Sequence, residues 1–135
     1  MSREGHEFGG HTMTHADLGT IDSGELEYEI GVCHQTIARV LGQAREFAWP
    51  FGRRVNMNAL AAEAVFKAGF RSCASAIRGC HLKTESQRRP TEMMLRRENL
   101  EANWPIPHVQ YLLAKDARQA VPGNDTWPRE LGRQA

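Results

Sequence analysis

Apolar residues recur at helical spacing through the stretch after residue 22. This spacing predicts a helix that has Ser23 as its N-cap and ends at Gly42. Three glutamates, Glu25, Glu27 and Glu29, lie in the first turns, where the helix dipole favours negative charge. The apolar positions of the predicted helix are Leu26, Ile30, Cys33, Ile37, Val40 and Leu41. We interpret the glutamates as part of the signal that starts the helix.

Short apolar segments alternate with helical ones further along the chain. Residues 46–49 predict a short buried strand that Pro50 ends, and residues 70–76 predict a second strand. Between them a helix is predicted from about Asn58, with Gly69 as its C-cap. Its buried face is expected to contain Leu60, Ala64, Val65 and Ala68. The alternation of helix and strand favours an α/β fold built from parallel βα units.

The later part of the chain carries weaker signals. Residues 78–104 are mostly polar, with only Met93-Met-Leu95 clearly apolar, and predict a long loop. Residues 108–115 predict a final helix that has Pro105 or Pro107 near its first turn.

The length of 135 residues is consistent with one domain. From residue 121 onward the chain is polar and interrupted by prolines and glycines. We therefore expect one domain over residues 1–120 and a flexible C-terminal tail over residues 121–135.

Composition narrows the classes of partner. Seventeen basic and sixteen acidic residues give a net charge of +1, which provides no broad attraction for nucleic acid or an anionic membrane. The sequence has no run of eighteen apolar residues and no recognisable secretory signal. We expect no nucleic-acid or membrane partner, and a cytoplasmic chain as written.

Three cysteines without a C-x-x-C pattern predict reduced, mostly buried thiols.

Two histidines four residues apart carry the clearest chemical signal. His11 and His15 enclose Thr-Met-Thr and follow the glycine-bearing segment Glu4-Gly-His-Glu-Phe-Gly-Gly10. Neutral imidazole is the commonest protein ligand of zinc, and this pair supplies two of the three protein ligands that a catalytic site usually has. Histidines that only cap or pack within a loop can show the same spacing, so the neighbouring residues decide between the two interpretations.

The pattern around this pair resembles a known family. Over about residues 4–76, the histidine pair, the segment Phe47-Ala-Trp-Pro-Phe-Gly52 and the later helix, glycine and strand occur in the order and spacing of polysaccharide deacetylases with a NodB homology domain. The first element matches the family's H-(S/T)-x-x-H metal motif and the second matches its R-x-P-x-G groove motif. The resemblance implies that His11 and His15 are metal ligands. It also implies that Pro50, Phe51 and Gly52 form one wall of the substrate groove.

The resemblance further implies an activity and a fold. The family hydrolyses N-acetyl, and sometimes O-acetyl, groups on carbohydrate, so the principal bond broken is a carbon–nitrogen bond other than a peptide bond. A divalent metal, zinc by expectation, polarises the acyl oxygen and activates water, while a carboxylate acts as general base. The family fold is a (β/α) barrel, of which this chain is expected to be a partial version lacking the first strands.

A third metal ligand is the missing part of this pattern. The family's Asp-Asp motif, which supplies that ligand and the general base, normally lies tens of residues before the histidine motif, and the sequence has no match to it. Asp17 and Asp22 follow the histidines and could substitute only through a different geometry. We therefore expect a weakly held metal and a chain truncated relative to the family, and its activity is left open.

The groove motif departs from the family at Ala48, where many members have an arginine that orients the base. Members with alanine there often carry a later arginine in a Leu-x-Arg stretch. Leu95-Arg96-Arg97 makes Arg97 a candidate for this base-orienting role. For the family's Leu-x-His motif, His81 and His108 are available, and neither is assigned.

Several functional alternatives stay open. The aromatic residues Phe47, Trp49 and Phe51 could belong to the core or form a platform for sugars, and we name Trp49 with Pro50, Phe51 and Gly52 as candidate substrate-binding residues. The first functional hypothesis is a metal-dependent carbohydrate deacetylase. The alternative is a non-catalytic relative that binds carbohydrate or protein. A weaker third option is the binding of anionic ligands by the arginines at 88, 89, 96 and 97.

A partial barrel has an unpaired edge. Such an edge exposes backbone donors and acceptors together with apolar surface, and these favour pairing with another chain. We expect a homo-oligomer whose interface covers the open barrel edge.

Overall fold

The structure is a computed structural model that describes residues 4–81 and 93–120. Helices and short parallel strands alternate along these residues. In chain order the elements are α1 (Ser23–Leu26), a π-helical segment (Glu27–Val32), α2 (Cys33–Leu41), β1 (Glu46–Ala48), a 3₁₀ turn (Arg54–Asn56), α3 (Ala59–Lys67), β2 (Ser72–Ala74), β3 (Met93–Leu95) and α4 (Ile106–Arg118). This order confirms the predicted α/β class.

The described strands form one parallel sheet in the order β1-β2-β3. Phe47 pairs with Cys73, and Cys73 pairs in turn with Met94. Gly10 forms an isolated parallel bridge to Phe47, which extends the sheet beyond β1. The described sheet is therefore open, and it does not close into a barrel within residues 4–81 and 93–120.

The segment before the histidines lies unusually close to β1. The Gly10 amide donates to the Glu46 carbonyl, and the Ala48 amide donates to the Gly10 carbonyl, both at 2.8 Å. A Cβ atom on Gly9 would lie 2.7 Å from the Glu46 carbonyl oxygen, and one on Gly10 would lie 2.6 Å from the Phe70 ring. A side chain on Gly9 would clash with the β1 backbone, and one on Gly10 would clash with the rings of Phe70 and Phe47, so both positions favour glycine.

The first helix begins one residue earlier than predicted. Asp22, not Ser23, is its N-cap: the Glu25 amide donates to the Asp22 carboxylate at 2.9 Å, and the Asp22 amide donates to the Glu25 carboxylate at 3.1 Å. This reciprocal pair forms a capping box, which aspartate makes as well as serine does. The predicted end at Gly42 is confirmed, since Gly42 has a left-handed φ of 78°.

Helix α3 confirms the predicted start and most of the predicted buried face. Asn58 is the N-cap, and its side chain accepts from the Ala61 amide at 2.8 Å. Ala61, Ala62 and Val65 are the buried residues of the helix, whereas Leu60, predicted to be buried, is 54% exposed. Of the predicted face, Val65 is buried and Ala64 and Ala68 are partly buried against the core, so the prediction is wrong at Leu60 alone.

Strand β3 was not predicted. Residues 93–95 form this strand against β2, and Met93 and Met94 are buried. A three-residue strand is too short for alternation to be recognised, and methionine is not typical of strands. The prediction of an uninterrupted loop over residues 78–104 is therefore wrong at β3, and residues 82–92 lie outside the described part of the chain.

The last described helix is longer than predicted. Helix α4 has Pro105 as its N-cap and Pro107 in its first turn, as the proline pattern suggested. Ile106, Tyr111 and Leu113 on this helix are exposed, at 71%, 63% and 56%. Helix α4 therefore leaves apolar side chains in contact with solvent. The tail predicted over residues 121–135 lies outside the described residues.

The core lies between the sheet and helices α1 to α3. Its buried cluster is Leu18, Leu26, Ile30, Ala44, Phe47, Trp49, Met57, Ala61, Ala62, Val65, Phe70, Cys73, Ile77 and Met94. None of the helices within residues 4–81 and 93–120 combines the length and apolarity needed to cross a membrane.

The three cysteines are free thiols, as predicted. Cys33 and Cys73 are buried and Cys80 is half-buried. Burial raises the pKa of the Cys73 thiol to about 12, although the nearby Trp49 indole partly opposes this rise. Cys73 is therefore a core residue that stays protonated.

We expect the capping box to be measurable by mutation. Replacing Asp22 by alanine should lower the free energy of unfolding by about 1 kcal/mol, because the Glu25 amide loses the carboxylate that caps it. Ser23→Ala is the matched control and should change it by less than about 0.5 kcal/mol. Urea denaturation measures both, and a larger loss for Ser23→Ala than for Asp22→Ala would contradict the assignment.

Candidate functional site

The candidate residues lie at the carboxyl ends of the parallel strands. His11 follows Gly10, residues 49–52 follow β1, Ser75 follows β2, and Arg97 lies just beyond β3. In parallel sheets this edge is where ligands commonly bind, because the loops that leave neighbouring strands meet there. The sheet thus brings residues that are far apart in sequence to one edge.

The two histidines lie side by side and are both exposed to solvent. Their ring centroids are 4.8 Å apart, with the ring planes at 73°. The loop reaches this arrangement with positive φ angles of 65° at Thr12 and 64° at His15. For residues other than glycine this conformation costs about 1–2 kcal/mol each, so other contacts must hold the loop.

One such contact orients the first imidazole. Nδ1 of His11 lies 2.7 Å from the carbonyl oxygen of Ala48 at the end of β1. A carbonyl only accepts hydrogen bonds, so Nδ1 is the donor, and in the neutral imidazole Nε2 then keeps its lone pair. Hydrogen bonds of this kind fix the tautomer and orientation of histidines that bind metals.

A second contact comes from Glu29, which is 5% exposed. Its carboxylate accepts hydrogen bonds from the amides of Met13 and Thr14, each at 2.9 Å, and from the Thr14 hydroxyl at 2.7 Å. Burial alone would raise the pKa of Glu29, but hydrogen bonds from Thr14, Met13 and the Thr12 hydroxyl outweigh it, and the pKa is lowered. Glu29 is therefore ionised at neutral pH.

The role of Glu29 was missed in the sequence. Its charge was interpreted as part of a helix-start signal shared with Glu25 and Glu27. The available signal was its position, since Glu29 lies on the same side of the predicted helix as Leu26 and Cys33. A carboxylate on a buried face requires hydrogen-bond donors from another part of the chain.

Two aromatic residues of the groove motif, Trp49 and Phe51, differ in burial. Trp49 is 2% exposed and Pro50 is also buried, whereas Phe51 is 51% exposed. The Phe51 ring lies 4.8 Å from the His15 ring, centroid to centroid, at 76°. Of the four candidate substrate-binding residues, Phe51 presents a side chain to solvent beside the histidines, while Trp49 and Pro50 are buried.

A tight turn holds Phe51 in this place. Phe51 and Gly52 have positive φ angles of 58° and 66°. The Ala76 amide donates to the Gly52 carbonyl at 2.7 Å, and a Cβ on Gly52 would lie 2.6 Å from that amide nitrogen. The turn is thereby joined to the segment that follows β2.

The two nearby aspartates, Asp17 and Asp22, form hydrogen bonds away from the histidines. The Asp17 carboxylate accepts from the Asn56 side chain at 2.7 Å and from the Gly19 amide at 3.1 Å, and Asp22 caps α1. Among residues 4–81 and 93–120, no three His, Cys, Asp or Glu side chains are arranged to hold a metal ion. Neither aspartate joins the histidine pair within the described residues.

Arg97 lies on the same edge but some distance from the histidines. Its Nε donates to the Ser75 carbonyl at 2.7 Å, and its amide donates to the Ile77 carbonyl at 3.0 Å. Three strand spacings separate the Gly10 segment from β3, which corresponds to about 14 Å. Arg97 braces the loop after β2, and the structure does not bring it next to the histidine pair.

Comparison with known families places the chain in one of them. The family profile described as polysaccharide deacetylase matches residues 1–73, which is more than half of the chain. The chain belongs to the polysaccharide deacetylase family. The match includes the histidine loop, Glu29 and the groove motif, and it ends within β2. In this polysaccharide deacetylase domain, β3, Arg97 and α4 lie beyond the matched residues.

We expect the turn at Gly52 to depend on glycine. Gly52→Ala should lower the free energy of unfolding by about 2–3 kcal/mol, since a left-handed φ and a clash with the Ala76 backbone act together. Gly42→Ala is the control, because its φ is also positive but nothing lies within 4 Å of the added Cβ. That variant should lose about 1 kcal/mol. Urea denaturation checks both, and equal losses would show that the contact with Ala76 has no effect.

Proposed function

We propose that this chain carries the histidine-based metal site of a carbohydrate deacetylase. The observation that supports the proposal most directly is the arrangement of His11 and His15 beside Phe51 at the carboxyl edge of the sheet. The reaction proposed is hydrolysis of an N-acetyl group on a sugar polymer, which breaks a carbon–nitrogen bond other than a peptide bond. The proposal adds activity, metal and substrate to the family membership.

The residues fit a divalent metal as a two-ligand set. The hydrogen bond from His11 Nδ1 to Ala48 leaves Nε2 available, and the neighbouring His15 ring is close enough for both imidazoles to reach one ion. Both side chains are exposed, so an ion can reach them from solvent. We propose zinc, since imidazole nitrogens suit it. With two protein ligands, the affinity should be below that of a three-ligand site.

The chain's own residues would divide the work as follows. His11 and His15 bind the ion, which when bound supplies Lewis-acid polarisation of the acyl oxygen and an activated water. Phe51 offers an apolar face for a sugar ring next to His15, and Gly52 keeps that wall in place through Ala76. We also propose that Trp49 and Pro50 take part in substrate binding as the buried part of this wall, and that Arg97 orients a base.

A second candidate function is supported by a specific observation. The described residues hold no third ligand near the histidines, and Asp17 is bonded to Asn56 and Gly19. A deacetylase needs a carboxylate base in addition to a metal. A non-catalytic relative that uses the same groove to bind carbohydrate or protein would need neither.

We also propose that the fold is part of a (β/α) barrel of the NodB type, with one domain over residues 1–120. The open parallel sheet and the exposed Ile106, Tyr111 and Leu113 of α4 support pairing with a second copy of the chain. The homo-oligomer would cover the open edge of the barrel.

The metal proposal predicts that His15→Ala loses zinc binding. The wild-type protein should bind one Zn²⁺ or Co²⁺ ion, and the variant should bind it at least about tenfold more weakly, because one of two protein ligands is gone. His108→Ala, which removes an exposed histidine on α4, is the matched control and should bind like the wild type. Calorimetric titration measures all three, and equal binding by wild type and His15→Ala would refute the ligand assignment.

Acetate release separates the two functions. A deacetylase should release acetate from N-acetylated oligosaccharides, and a chelator should abolish the release. Binding of the same oligosaccharides without acetate release, at any metal concentration tested, would instead establish the non-catalytic alternative.

The oligomer proposal predicts a mass above that of one chain. Light scattering at micromolar concentration should give at least a dimer, with the mass falling towards one chain on dilution. A strictly monomeric protein across the dilution series would contradict it.

A further inference from the structure

The loop at residues 11–15 needs support from outside itself. Thr12 and His15 both have positive φ angles, a conformation that residues other than glycine rarely adopt. The internal hydrogen bond from the His15 amide to the Thr12 hydroxyl, at 2.9 Å, spans three residues and lies exposed to solvent. A competing conformation of the loop would separate the two imidazoles.

Glu29 contacts the centre of this loop. Its Oε2 accepts from the amides of Met13 and Thr14, and its Oε1 accepts from the Thr14 hydroxyl. These three bonds come from Met13 and Thr14, which lie between His11 and His15 in the loop. Bonds to an ionised acceptor are stronger than those between neutral groups, and a carboxylate has the lone pairs to accept all three.

The helix fixes Glu29 independently of the loop. Glu29 lies in the π-helical segment Glu27–Val32, next to Ile30, which is 1% exposed. π-Helical turns occur frequently at functional sites, where they redirect a side chain within a continuous helix. The neighbouring Glu27 is exposed, whereas Glu29 is buried under the histidine loop.

We propose that Glu29 is a positioning residue that holds the loop in the conformation in which the imidazoles of His11 and His15 meet. It does not contact the metal or the substrate. Its effect on metal affinity rests on the proposed function, whereas its effect on the positions of the two rings does not.

The decisive variant is Glu29→Gln, which keeps the shape of the side chain but replaces one acceptor oxygen by a donor. Glu27→Gln is the matched control, because it makes the same chemical change at an exposed position of the same helical segment. Two measurements apply to each protein: nuclear Overhauser contacts between the rings of His11, His15 and Phe51, and the dissociation constant for Zn²⁺. The first reports ring positions without metal, and the second reports their consequence.

We expect Glu29→Gln to weaken the contacts of the His15 ring with both His11 and Phe51 and to raise the Zn²⁺ dissociation constant by roughly tenfold or more. Glu27→Gln should match the wild type in both measurements. A folded Glu29→Gln protein with unchanged ring contacts and unchanged Zn²⁺ affinity would overturn the proposal. A loss of thermal stability alone would also overturn it, since that is all a purely structural role predicts.

Two further outcomes have defined meanings. If the wild type binds no Zn²⁺, the proposed function fails, and the ring contacts alone decide the role of Glu29. If Glu29→Gln does not fold, Glu29→Asp takes its place, because it keeps the charge but shortens the side chain by one methylene group and so draws the carboxylate away from the amides of Met13 and Thr14. Weakened ring contacts in a folded Glu29→Asp protein would then support the proposal, and wild-type contacts would reject it.

Discussion

The close approach of Gly9 and Gly10 to β1 is the contact on which the rest of the site depends. Their backbone pairs with Glu46 and Ala48, and this pairing leaves space for no side chain on either glycine. It delivers His11 directly beside the Ala48 carbonyl, where Nδ1 finds its hydrogen-bond partner. A shift of this segment by one residue would turn His11 to the other face of the sheet. The first imidazole is thus oriented by strand pairing.

The second imidazole depends on a different kind of constraint. His15 lies at the far end of a loop with two positive φ angles, and its position follows from hydrogen bonds that side chains make to that loop. The site therefore has two parts: His11 is positioned by the sheet, and the loop that contains His15 is held by the neighbouring helix. Phe51 lies against the second half, because a separate strained turn after β1 directs its ring towards His15.

The sequence predicted much of the fold because its helix boundaries carry local signals. Gly42 and Asn58 are recognisable from residue type alone, and the structure confirms both. Asp22 and Ser23 are neighbouring N-cap residues of similar propensity, and only the reciprocal bond with Glu25 decides between them. Strand β3 depends on pairing with β2, a non-local interaction that three apolar residues do not reveal.

The candidate site was also predictable from the sequence only in part. The spacing of His11 and His15 and the groove motif pointed to the family, which the family match then established. The burial of Trp49, the exposure of Phe51 and the hydrogen bonds of Glu29 depend on how distant segments pack, and sequence spacing has no information on that. Asp17, considered as a substitute ligand, is instead bonded to Asn56, a contact across 39 positions of sequence.

The buried thiol of Cys73 in β2 can be used to detect opening of the sheet. Burial raises the pKa of the Cys73 thiol, so it stays protonated at neutral pH, and the core shields it from reagents. An alkylating agent added to the native protein will therefore react first at the half-buried Cys80. Cys73 will be modified only when the sheet opens. Its rate of labelling therefore measures how often β2 separates from its neighbouring strands.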